Sequence, residues 1–105
     1  MTALQITTTS QDGSARIELA GELDLATGPD LERALETQLA QAVRDLVLDL
    51  RGVTFIDSSG LRVVLVASRS ASDEGRRLIV VPGDGQVRRV IRLAQVEDRL
   101  DLGDG

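Results

Sequence analysis

The fold class that this sequence predicts is α/β: a single domain with a mixed β-sheet and helices packed against it, in the order β-β-α-β-α-β-α-β. Three observations predict it. Short apolar runs of strand type alternate with stretches whose apolar residues return every three or four positions. A hairpin pattern opens the chain and gives one antiparallel pair. The later strands are separated by helix-sized connections, which parallel pairing requires. At 105 residues the chain suits one domain spanning 1–105, with a core from about 4 to 102, and no linker, repeat or low-complexity segment divides it.

Leu4, Ile6 and Thr8 alternate with polar neighbours, and Gln11-Asp12-Gly13-Ser14 supplies a turn. Arg16-Ile17-Glu18-Leu19-Ala20 resumes the alternation, and Gly21-Glu22-Leu23-Asp24 ends this second strand. Thr27-Gly28-Pro29 opens the first helix, where proline loses only an N–H that had no partner. Leu31, Ala34, Leu35, Leu39, Ala42 and Val43 form its expected buried stripe. Leu46-Val47-Leu48-Asp49-Leu50 is nearly continuous in apolar residues, the pattern of a strand covered on both faces. After Arg51-Gly52, a second short apolar stretch, Val53-Thr54-Phe55-Ile56, runs into Asp57-Ser58-Ser59-Gly60. Leu61, Val64, Leu65, Ser68 and Ala71 mark one face of the second helix, with Gly75 as its stop. Leu78-Ile79-Val80-Val81 repeats the buried-strand signature, and Pro82-Gly83 breaks it. Gly83-Asp84-Gly85 reads as the loop before a third helix, marked by Val87, Val90, Ile91 and Ala94. Leu100 and Leu102 give a short last strand.

Composition removes several classes of function. Phe55 is the only aromatic residue, so the core is built from Leu, Val, Ile and Ala, and no stacking platform exists for single-stranded nucleic acid. A net charge of −5 opposes binding to nucleic acid and to anionic membranes, both of which need basic patches, and leaves protein partners as the favoured targets. The absence of cysteine removes disulfides and thiolate nucleophiles, and the absence of histidine removes the commonest general base and metal ligand. A cytoplasmic setting is compatible with this composition. No apolar stretch approaches the ~20 residues of a membrane span, and Met1-Thr2-Ala3-Leu4-Gln5 lacks a signal-peptide pattern.

The chemistry-bearing segment is Asp57-Ser58-Ser59-Gly60, between strand and helix. An acid or hydroxyl there can accept hydrogen bonds from the first helical N–H groups, accept a phosphoryl group, or do both. Asp57 and Asp24 also resemble an acid–base or metal-binding pair, but no third ligand, histidine or glycine-rich phosphate loop accompanies them, and no cofactor is expected. Arg62 stands four residues after Ser58, one turn along the helix, where it reads either as a partner for a phosphorylated serine or as a solvated surface residue. Arg88, Arg89 and Arg92 read as the polar side of the third helix, balanced by Glu97 and Asp98.

The element order, Gly21-Glu22-Leu23-Asp24 and Phe55-Ile56-Asp57-Ser58-Ser59-Gly60-Leu61 together resemble the STAS domain, and more narrowly the small bacterial anti-sigma factor antagonists. The likeness runs from residue 4 to about 102. It implies a partner-switching module rather than an enzyme. The unphosphorylated protein binds an anti-sigma factor that is also a serine kinase, and a sigma factor is freed. In such a module the kinase supplies ATP and magnesium and phosphorylates the first hydroxyl after the Asp, which the resemblance maps onto Ser58, and the complex dissociates. A serine phosphatase of the metal-dependent type resets the switch. The implied partner-binding residues are Asp24, Thr27, Asp57, Ser58, Ser59, Gly60 and Arg62, with Asp57 orienting the Ser58 hydroxyl. The alternative is a STAS scaffold in a signalling or membrane-lipid transport assembly, which docks without switching.

Overall fold

Two strands, β1 (Gln5–Gln11) and β2 (Ser14–Leu23), open the chain as an antiparallel pair in which Gln11 faces Ser14. Asp12 and Gly13 between them have φ of 52° and 82°, as the two central residues of a tight hairpin turn require. The structure is a computed structural model and describes residues 3–104. The chain continues through α1 (Gly28–Leu39), β3 (Asp45–Ile56), α2 (Ser58–Asp73), β4 (Arg77–Val81), α3 (Gln86–Leu93) and β5 (Asp101–Leu102). The sheet order is β1-β2-β3-β4-β5, antiparallel at the hairpin and parallel elsewhere. The predicted element order is therefore the observed one.

One apolar cluster holds these layers together. Ile17, Leu19, Leu46, Leu48, Leu50, Leu78 and Val80 of the strands meet Leu31, Leu35, Leu61, Val64, Ala71, Val87 and Ile91 of the helices. Each Leu, Ile or Val among them, fully buried, contributes roughly 1.5–3 kcal/mol. Among the described residues no helix is long and apolar enough to cross a membrane.

Four expectations need correction. Helix α1 ends at Leu39, so Ala42 is exposed and Val43 reaches the core from the loop. Gln38 takes the buried turn after Leu35, and an Arg44 N–H to Gly13 carbonyl bond of 2.9 Å draws the chain toward β3. Helix α3 ends at Leu93, and Ala94 is likewise exposed. Gln95, at φ 57°, reverses the chain so that the Val96 amide reaches the Ile91 carbonyl, and Val96 is buried in Ala94's stead. This is a Schellman closure without glycine. Arg88 pairs with Asp84 at 3.8 Å, and among the described residues no ion pair joins α3 to Glu97 or Asp98. Those two residues belong to a short 3-10 turn, Glu97–Arg99, that leads into β5.

The fourth concerns β3, one strand from Asp45 to Ile56 that passes through Arg51-Gly52 with irregularities in its pairing to β2. Leu46, Leu48 and Leu50 enter the core, but Asp49 lies on the opposite face beside Glu18 and is covered by arginines rather than by an apolar layer. Its carboxylate accepts from the Arg51 guanidinium (2.8 Å) and amide (3.0 Å) and from Arg16 (2.6 Å), leaving Asp49 only 4% exposed. The Arg51 hydrogen bond is the main cause that holds the carboxyl far below its ordinary value, against the opposing cost of burial. A carboxyl depressed on folding stabilises the fold above its unfolded value, here near 3.8, and loses that contribution as pH falls below it. Asp49→Asn is therefore expected to cost about 2 kcal/mol at neutral pH, a value moderated because both arginines reach water once released. The gap between the two proteins in urea titrations should narrow toward about pH 2.5; a gap that does not change with pH contradicts this role.

Candidate functional site at the entrance to α2

Helix α2 starts where β2 and β3 end side by side. Leu23 pairs with Ile56 at the last step of the parallel ladder, and the Asp57 amide donates to the Leu23 carbonyl at 3.3 Å. Asp57 then leaves the strand as an extended N-cap whose carboxylate accepts from the Gly60 amide at 2.9 Å. The Leu61 amide closes the first turn on the Asp57 carbonyl at 3.0 Å. Asp57 thus fulfils the capping role read from the sequence at one amide, that of Gly60.

This geometry separates the two hydroxyls. Ser58 is exposed in the first turn, whereas Ser59 is half-buried. Among the described residues neither amide has a hydrogen-bond acceptor, because Asp57 satisfies only that of Gly60. Free amides at a helix N-terminus favour an anion. Gly60 is buried under the end of β2, and a Cβ there would lie 2.5 Å from the Leu23 carbonyl oxygen. Glycine is what allows α2 to approach.

Asp24 follows Leu23 directly, so the loop it begins stands beside Asp57. Its carboxylate accepts from the amides of Ala26 (3.0 Å) and Thr27 (3.1 Å). The Thr27 hydroxyl accepts from the Asp24 amide at 3.0 Å and donates to the Glu22 carbonyl at 2.8 Å. These bonds shape the loop from within and push Leu25 outward to 76% exposure. Asp24, Leu25, Ser59 and Arg62 line one end of a groove of about 430 Å³ between α1 and α2, with Val63 and Val66 further along. Arg62 is exposed and has no ion pair among the described residues. The predicted site residues are thus brought to one corner of the domain. Among the described residues no group of three or more acidic side chains converges as a metal site requires.

Two contributors are not apparent in the sequence. Nothing in the sequence marks Leu25, which the turn built by Asp24 and Thr27 exposes. Gln86 lies 30 positions from Ile56, yet its side chain accepts from the Ile56 amide at 2.7 Å and donates to the Ile56 carbonyl at 3.3 Å.

A mixed-sheet domain with a capped, hydroxyl-bearing helix entrance is the pattern on which the resemblance rested, and the chain belongs to the STAS domain family, which it matches over residues 5–104. Similar to it are the anti-sigma-B factor antagonists of Staphylococcus aureus, 26% identical across 97% of this chain and 94% of theirs. That of Staphylococcus epidermidis is 24% identical over the same shares. Among solved structures, an anti-sigma factor antagonist from Mycobacterium paratuberculosis has a TM-score of 0.89 at 26% identity, covering 98% of this chain and 87% of that one. The fold is shared by SpoIIAA in its unphosphorylated form, with TM-score 0.73, 24% identity and coverage of 98% and 89%.

Proposed function

We propose that this chain is an anti-sigma factor antagonist: with Ser58 unmodified it binds an anti-sigma factor serine kinase and frees a sigma factor, and phosphorylation of Ser58 ends the association. The observation that carries the reading is the exposed Ser58 in the first turn of α2, between the Asp57 cap and amides that have no acceptor among the described residues. The relatives support it, being named as anti-sigma factor antagonists. A solved SpoIIAA, at 24% identity, is described as the phosphorylated form. Asp24, Leu25, Thr27, Ser59 and Arg62 surround Ser58 as the contact surface, Gly60 seats the helix beneath it, and the second oxygen of Asp57 orients the Ser58 hydroxyl. A metal-dependent serine phosphatase restores the serine, and the cycle runs in the cytoplasm.

A phosphate adds about −1.5 to −2 charge at neutral pH. At Ser58 it meets favourable helix amides, so the domain stays folded while its partner surface becomes more acidic. Incubation with the anti-sigma factor serine kinase of the same genome and ATP tests the reading by intact mass. One phosphoryl gain is expected in the parent chain and none in Ser58→Ala. A gain that persists in Ser58→Ala removes the assignment, and tight binding with no gain favours the non-switching scaffold.

A further inference from the structure

Strand β4 stops at Val81, opposite Asp49, so among the described residues, positions 50–56 of β3 have no strand on that side. The strand end that carries Asp57 and Ser58 is thereby exposed to fraying, since unpaired backbone groups have either to find other partners or to take up water. One side chain fills the gap at its last position. Gln86, the first residue of α3, presents a carboxamide to Ile56 in the way a neighbouring strand presents a peptide group, accepting from the Ile56 N–H at 2.7 Å and donating to the Ile56 carbonyl at 3.3 Å. On the other side, the Leu23 carbonyl holds the next amide, that of Asp57. Ile56 and Asp57 are gripped from both edges immediately before Ser58.

We propose that Gln86 is a positioning residue for phosphoryl transfer to Ser58, acting through the Ile56 backbone to hold the launch point of α2 in the geometry that the kinase engages. The inference rests on the reading of Ser58 as phosphoacceptor. Among the described residues Gln86 makes no hydrogen bond to Ser58, and it does not line the groove between α1 and α2. Its loss therefore leaves the docking residues in place and loosens only the segment that carries the hydroxyl, which places the effect on turnover rather than on affinity.

The test uses the full chain and the same kinase, with steady-state phosphorylation of Gln86→Met and Gln86→Ala at a temperature where circular dichroism shows both folded. Methionine keeps the length and packing of the side chain and removes both hydrogen bonds. Both variants are expected to lower kcat for Ser58 by about fivefold or more, with KM within about twofold, as expected when the orientation of the reacting hydroxyl is lost and docking is kept. Amide exchange at Ile56 should accelerate in both, while exchange at Leu48 in the core stays at the parent rate. Unchanged kcat in Gln86→Met overturns the role of the clamp, as does a loss confined to KM. A parent chain that takes no phosphate at Ser58 overturns instead the reading beneath it, which the parent reaction shows separately.

Discussion

Gly60→Ala is expected to destabilise the domain by about 2 kcal/mol, although glycine to alanine within a helix ordinarily stabilises by up to ~1 kcal/mol. The sign reverses because of the contact above the residue. A Cβ at position 60 would lie 2.5 Å from the Leu23 carbonyl oxygen and 2.8 Å from Leu23 Cγ. The first of these is backbone at the end of a paired strand and cannot rotate away, so α2 must move off the sheet. Forced separation of packed elements costs typically ~1–3 kcal/mol, and a loss of that size is large for a domain whose net stability is about 5–15 kcal/mol. Urea titration checks the value. Gly85→Ser is the control, because a Cβ at position 85 meets nothing within 4 Å and serine there can cap α3, so it should leave stability unchanged or slightly raised. A Gly60→Ala protein as stable as its parent would show that the approach of α2 to Leu23 is not tight.

The same contact explains which parts of the site were legible in the sequence. The Asp57 cap is local: its donor, Gly60, is three residues away, and the residue types state the interaction. The hairpin turn and the Gly75 stop are local in the same sense. Contributions that depend on register were not legible. Gln86 matters because β4 ends seven residues before β3 does, and no property of a glutamine in a helix's first turn announces that difference. Asp49 interrupts an apolar run that looked buried on both faces. Its cover comes from Arg51 beside it and from Arg16, 33 positions away, which the β2–β3 register brings alongside. Ala94 continues the helical spacing of Val87, Val90 and Ile91, and Gln95 gives no outward sign of the left-handed turn that ends the helix before it and buries Val96.

Ser58→Asp is expected to weaken binding to the kinase by at least about tenfold, equivalent to ~1.4 kcal/mol, while leaving the circular-dichroism spectrum native. The two halves of this prediction have opposite electrostatic signs. Within the domain the new carboxylate sits in the first turn of α2 beside amides that have no acceptor among the described residues, where a negative charge is worth roughly 0.3–1 kcal/mol to the helix. The melting temperature should therefore hold or rise slightly. Toward a partner the same charge adds to Asp24 and Asp57 on a surface proposed to meet a neutral serine. Two unit charges about 4 Å apart interact by up to ~4 kcal/mol at an effective dielectric of ~20, and by about half that at twice the distance. Either value exceeds the helix term, so repulsion dominates whenever the partner presents an acidic group or buries the site. Ser58→Asn is the control, a polar side chain of similar size without charge, and should bind within about threefold of the parent. Isothermal titration at low and high salt separates charge from shape: the Asp defect should shrink as salt rises, since exposed charges are screened over ~8–10 Å at physiological strength. Equal affinity of the Asp and Asn variants would sink the electrostatic switch, and equal weakening of both would assign the specificity to the size of the serine.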